Sequence, residues 1–191
     1  QATTYLAAVG AIPHTTVIVP SCPDEAEQFM YQAIKRFEAD RAAGKDGESY
    51  IFFVGRENYP LSWVDNPVYE WGKAQVLREG SDVVLVGSGV LLNRVMEAGE
   101  QLASDGVDAT VINNPFVNQV DLDTIGAAVN AAGGRLVTIE DHQVKGGMGA
   151  QVSHALSNAG IAHRIKTLGI AGEFGQSAYK ADELYDKFGL N

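Results

Sequence analysis

Val83-Val84-Leu85-Val86-Gly87-Ser88-Gly89 is the stretch that decides the fold of this 191-residue chain. An uninterrupted apolar run rich in valine suits a strand covered on both faces, as in a parallel sheet. Glycine is the natural residue for the turn that follows. Leu92, Val95, Met96, Gly99, Leu102 and Ala103 then recur at the spacing of one helix face. Strand, glycine turn and helix, in that order, form the repeating unit of α/β architecture. The unit recurs downstream. Residues 109–112 read as a strand, and Leu122, Ile125, Ala128, Val129 and Ala132 as a helix face. Residues 136–139 read as a further strand, after which Gly146, Gly147 and Gly149 precede a helix with Val152, Ala155 and Leu156. Residues 164–168 form a last strand, and Leu184, Tyr185 and Phe188 a short terminal helix stopped at Gly189.

Upstream the pattern is thinner. Residues 69–77 alternate loosely and suggest an edge strand, and residues 59–67, with Pro60 and Pro67 and no period, read as a linker in which Trp63 is pinned against a neighbour. Residues 15–19 read as a buried strand ending at Pro20, and residues 50–54 as a second. Between them, Ser21 is expected to open a helix by accepting from a first-turn N–H, with Pro23 and Asp24 in that turn. Ala26, Phe29, Met30, Ala33, Ile34 and Phe37 mark its apolar face, and polar residues 40–49 close it. Residues 1–58 thus hold two strands around one helix, too little to close a core, whereas residues 68–191 read as a complete small domain. A half-domain followed by a whole one, starting at Gln1, reads as part of a longer protein.

Composition excludes several functions. Acidic residues outnumber basic ones 24 to 14, for a formal charge of −10, and no Lys/Arg run offers a polyanion a footing, so nucleic-acid binding is not expected. No apolar run approaches the ~20 residues needed to span a bilayer, so no membrane partner is expected either. Cys22 is the only cysteine, which rules out an internal disulfide or a Cys/His zinc site and suits a reducing, cytoplasmic compartment.

Three stretches carry possible chemistry. Gly55-Arg56-Glu57-Asn58 follows a strand, at the end where α/β sheets gather ligands. Arg56 there can grip a phosphate through two N–H groups, or simply pair with Glu57. Gly87-Ser88-Gly89 can offer backbone N–H groups to an anion, or serve only tight packing, since Leu92 and the absence of a following lysine depart from the phosphate-loop patterns. Glu140-Asp141-His142, placed just after a strand and ahead of Gly146-Gly147-Met148-Gly149, can pair an acid with a histidine for proton transfer, or cap and line an interface. The glycine run can meet an anion at the next helix start. His14, His154 and His163 show no partner spacing, Ser88, Ser153 and Ser177 lack a nucleophile elbow, and Cys22 beside a helix start reads as a buried thiol.

The order of several segments resembles the transketolase family over nearly the whole chain. Tyr5-Leu6-Ala7-Ala8 with Gly10-Ala11-Ile12-Pro13-His14 is similar to a family segment reading roughly L-A-A-L-R-A-I-P-N, and residues 17–20 with Asp24 and Glu25 to the strand-to-helix passage after it. Arg56 and Asn58 match the family's S-R-Q-N, with Gly55 where Ser is usual and Glu57 where Gln is usual. Residues 66–80, residues 83–89, Thr138-Ile139-Glu140-Asp141-His142 with the glycine run, and the tail from Phe174 to Leu190 resemble the family's C-terminal domain.

The resemblance implies an α/β fold. Residues 68–191 would form a three-layer α/β/α C-terminal domain with a mostly parallel sheet and one antiparallel strand. Residues 1–58 would be the end of a pyrimidine-binding domain, and residues 59–67 the linker. It implies that Gln1 matches the Gln of a G-x-T-H-Q loop, so that the activating glutamate and the domain binding thiamine diphosphate and Mg²⁺ lie upstream. It implies a parent enzyme moving a two-carbon ketol unit between sugar phosphates, with Arg56 on the substrate's terminal phosphate and no assured catalytic residue in this chain. The chain alone would be inactive, and its partners would be a second copy in a homodimer or the upstream half. Deoxyxylulose-phosphate synthase and the β chain of 2-oxo-acid dehydrogenases share the same C-terminal domain, and an association module without turnover is the non-catalytic reading.

Overall fold

A computed structural model describes residues 3–190. The run at residues 83–86 opens strand β4 (Val83–Gly87), the middle strand of a five-stranded sheet. Its order is β3 (Gln75–Arg78), β5 (Ala109–Asn113), β4, β6 (Arg135–Gln143) and β7 (Arg164–Ile170), with β3 alone antiparallel to its neighbour. The side chains of β4 alternate as strand geometry requires. Val84 and Val86 pack with α4 (Leu122–Ala131) and α5 (Met148–Asn158) through Ile125, Val129, Val152 and Leu156. Val83 and Leu85 face α3 (Leu92–Ser104) and α6 (Ala181–Phe188) through Leu92, Val95, Tyr185 and Phe188. Both faces are covered, which makes three layers.

Helix ends follow local chemistry. The Asp121 carboxylate accepts from Thr124 N–H at the start of α4. Gly189 ends α6 in the left-handed region at φ 66°, where a Cβ would be strained.

Upstream, α1 (Tyr5–Gly10) leads to β1 (Thr15–Ile18), α2 (Pro23–Ala42) and β2 (Ser49–Phe52), with β1 and β2 paired in parallel. This block is joined to the larger sheet by hydrogen bonds. Val19 N–H donates to Pro115 O and Val117 N–H to Val17 O, so residues 115–117 run beside β1. The Asn118 side chain accepts from Val17 N–H and donates to Gly10 O and Thr15 O. Leu6, Val17 and Val19 share one core cluster with Val84 and Ile112. Trp63 packs against neighbouring clusters, and its Nε1–H donates to Ser21 Oγ.

Four local expectations need correction. Ser21 does not cap α2; Cys22 is the N-cap residue, and the Ser21 hydroxyl donates instead to Glu25. Glu140, Asp141 and His142 lie within β6 rather than after it, because the strand runs past Ile139 through a register shift before Gln143 pairs with Ile170. The edge strand is confined to Gln75–Arg78, since Tyr69 and Trp71 turn inward to stack on Phe29. On α2, Phe29 and Ala33 are buried, but Met30, Ile34 and Phe37 are 40%, 57% and 46% exposed, so half of the apolar stripe has no cover in this chain. No described helix is long and apolar enough to cross a membrane.

Candidate functional site

The carboxyl end of β2, the turn after β4 and the extension of β6 converge on one cleft of about 530 Å³. Gly55, Arg56 and Glu57 come from the first, Val90 from the second and Asp141 from the third, while residues 175–181 and Tyr185 close the far side. The connections leaving β4 and β6 run to opposite sides of the sheet, so the cleft lies where α/β sheets bind ligands.

Gly55 is required here by space. A Cβ at this position would overlap the Tyr59 hydroxyl and come within 2.5 Å of Val90 Cγ1. Arg56 is exposed on the cleft wall, and among the described residues its guanidinium has no ion pair and no hydrogen bond. The alternative, a side-chain pairing with Glu57 or a neighbouring acid, is not formed among the described residues. The Glu57 carboxylate turns back and accepts the backbone N–H of Arg56 at 3.0 Å. The planar donor edge of Arg56 is therefore left open on the cleft wall.

The triplet in β6 divides into three roles. Glu140 is buried, and its carboxylate accepts from the first-turn amides of α5, Met148 N–H at 2.6 Å and Gly149 N–H at 3.2 Å. The anion that the glycine run awaits is thus supplied from within the chain. Gly147 must be glycine, since a Cβ there would overlap Glu140 Oε2. Burial pushes the Glu140 carboxyl up to about 7. His142 is fully buried. Its Nδ1 lies 2.7 Å from Gln143 O and its Nε2 3.1 Å from Leu6 N, which assigns the proton to Nδ1 and makes Nε2 the acceptor for the start of α1. It is a clamp between the two blocks, with the Tyr5 ring edge-on at 5.2 Å. Asp141 alone faces the cleft. Burial raises its pKa, with the nearby Glu57 charge adding to the rise, and Tyr5 Oη donates to it at 3.5 Å. Burial likewise raises the phenols of Tyr5, Tyr59 and Tyr185.

Gly87 and Gly89 serve packing. A Cβ at either would lie 2.6 Å from Val95 or Val19, and Gly89 has φ 55°. His163 bonds to Ser153 and Ile161 O, His154 to Asn158, and Cys22 lies buried 3.3 Å from Tyr69 Oη. Gln1 lies outside the described residues.

Sequence reading missed Glu25. It is fully buried, forms no ion pair among the described residues, and accepts from Ser21 N–H (2.6 Å), Ser21 Oγ (2.8 Å) and Asn113 Nδ2 (2.6 Å). Burial raises its pKa. The signal was its spacing: Glu25 lies on the same helix face as Phe29 and Ala33.

The residues present do not fit a diphosphate with its Mg²⁺. The cleft pairs one guanidinium and Lys180 with Glu57 and Asp141, whose charges oppose a polyanion, and the described residues gather no cluster of three metal-ligating side chains.

Comparison with known proteins completes the assignment. A family profile described as "Transketolase, C-terminal domain" matches residues 72–191. Transketolase-like protein 2 of Homo sapiens is 30% identical over 190 residues, covering 97% of this chain and 28% of that protein. The 1-deoxy-D-xylulose-5-phosphate synthase of Carboxydothermus hydrogenoformans is 30% identical over 189 residues, covering 94% and 27%. The chain thus spans about a quarter of the length of these curated relatives. A solved structure titled "Split gene transketolase, inactive beta4 tetramer" superposes with a TM-score of 0.78 at 28% identity, over 100% of this chain and 58% of that one. The family profile takes in well over half of the chain and the whole five-stranded sheet, and the chain belongs to the transketolase C-terminal domain family.

Proposed function

We propose that this chain is the C-terminal portion of a thiamine-diphosphate-dependent transketolase that moves a two-carbon ketol unit between sugar phosphates. In this reading residues 1–58 end the pyrimidine-binding domain, residues 59–67 link, and residues 68–191 form the C-terminal domain. Thiamine diphosphate with Mg²⁺ supplies the electron sink when bound, on other parts of the assembled enzyme. This chain supplies position. The observation that carries the reading is Arg56, held at the carboxyl end of the β2 segment with its guanidinium unpaired in a ligand-sized cleft. Two N–H groups gripping the terminal phosphate fix the far end of the substrate, and thereby the distance of its reacting carbonyl from the cofactor.

The test is Arg56→Ala in the assembled enzyme. Loss of a charged hydrogen-bond donor is expected to raise KM for xylulose 5-phosphate about 10- to 100-fold while leaving xylulose within about twofold. Equal losses for both would remove Arg56 from the phosphate role. The likeness to a deoxyxylulose-phosphate synthase makes the donor the second question, and turnover with pyruvate in place of the ketose would assign the chain there.

A second reading applies to the chain by itself. The uncovered stripe of Met30, Ile34 and Phe37 on α2, with Tyr31 beside it, favours self-association without turnover. Sedimentation should show an oligomer and calorimetry no tight thiamine diphosphate binding; a monomer with tight binding would refute it.

A further inference from the structure

We propose that Glu57 is a specificity-determining residue of the Arg56 cleft: its carboxylate is an anion tethered to the backbone of Arg56, and its charge narrows the preference for phosphate-ended over hydroxyl-ended ketoses. The inference rests on the reading of Arg56 as the phosphate-binding residue.

Three observations meet at one point. Glu57 is exposed, yet its carboxylate turns back on the chain, where Oε2 accepts the backbone N–H of Arg56 at 3.0 Å. That bond ties the carboxylate to the residue whose guanidinium would meet the phosphate. Next, this placement depends on Gly55. A side chain there would come within 2.8 Å of Glu57 Oε2 and overlap the Tyr59 hydroxyl. Glycine at 55 and glutamate at 57 are therefore one spatial unit. Finally, the Tyr59 hydroxyl, on the same spot, is buried with no hydrogen-bond partner among the described residues. That hydroxyl therefore does not hold or screen the Glu57 carboxylate.

The charges around this point do not cancel Glu57. Among the described residues it forms no ion pair. Asp141 lies on the same cleft, and Lys180 is the second cation of its wall after Arg56. A phosphate dianion bound by the Arg56 guanidinium would sit beside the Glu57 carboxylate and be repelled by it, whereas a neutral hydroxyl meets no such repulsion. A dianion and a carboxylate some 6 Å apart in a water-like surround repel enough to change affinity about tenfold.

Glu57→Gln in the assembled enzyme tests this. The amide keeps the shape and an acceptor for Arg56 N–H but removes the charge. KM for xylulose 5-phosphate is expected to fall about tenfold, KM for xylulose to stay within about twofold, and the difference to shrink as salt is raised. Calorimetric titration of the folded chain with inorganic phosphate gives the same comparison without turnover, tighter in the variant. An unchanged KM for the phosphate ester, or equal shifts for both ketoses, overturns the proposal. Arg56→Ala separates the two claims. If that variant selectively loses the phosphate ester while Glu57→Gln changes nothing, the tethered anion falls and the phosphate role stands. If it harms both ketoses equally, the phosphate role itself falls.

Discussion

Glu140→Gln isolates the energetics of the buried carboxylate beneath α5. Burial raises the Glu140 carboxyl from 4.5 to about 7 in the folded chain. For an acid whose folded pKa is raised, the linked stability is complete below the unfolded pKa and is lost as pH rises through the folded one. The window is thus pH 4.5 to 7, and at 1.36 kcal/mol per pKa unit the loss is about 3 kcal/mol. A neutral carboxylic acid and a carboxamide each offer one carbonyl acceptor to Met148 N–H and Gly149 N–H, so wild type and variant should have similar stability near pH 4. At pH 8 the ionised wild type bears the desolvation cost and the variant does not, and the variant should be about 3 kcal/mol the more stable. Glu25 also has a raised pKa, but both proteins retain it and its contribution cancels in the difference, whereas Asp141, whose charge adds to the rise at Glu140, is eased by the same substitution and shifts the difference in the same direction. Urea unfolding of both proteins at half-unit steps from pH 4 to pH 8 gives the two curves. Parallel curves would refute the reasoning, since Glu140 would then titrate alike in the folded and unfolded chains.

Gly147→Ala places a Cβ on Glu140 Oε2 and 2.7 Å from Gln143 O, and should cost about 1–3 kcal/mol by urea unfolding. His142→Ala leaves Leu6 N–H and Gln143 O without their partner and a void beneath Tyr5, for a loss of about 2–4 kcal/mol. Hydrogen exchange should then show Leu6 N–H losing protection ahead of β4. The Arg56→Ala and Glu57→Gln kinetics described above complete the set.

The alternation of strands and helices from β4 onward was readable because a sheet buried on both faces demands continuous apolar runs, and its helices a regular stripe. The Glu140-Asp141-His142 segment escaped that logic. Its polar residues interrupt the apolar run of β6, and the partners that hold them, α5 for Glu140 and α1 for His142, come from segments distant in sequence or beyond a glycine loop. The stripe on α2 shows its period in the sequence, but a period does not say which half of it this chain covers. Ser21 looked like a cap on composition, and its neighbour Glu25 took the hydroxyl because its carboxylate, buried at the helix start, had to find donors. Arg56 could be proposed from its position after a strand, whereas the inward turn of Glu57 depends on space at Gly55 that only the packing of Tyr59 and Val90 reveals.

The stitching of residues 115–119 to β1 bears on how this chain can be recombined with its relatives. Asn118 ties Gly10, Thr15 and Val17, so a chimera crossing over within residues 59–67 would take the first block from one parent and its seam from another. The exchangeable module is residues 3–58 together with two distant strips, 115–119 and the 141–143 end of β6 that holds Thr3, Tyr5 and Leu6. Inheritance of all three, more than the position of the interdomain connector, bears on which hybrids keep the wall bearing Arg56 aligned with the wall bearing Asp141.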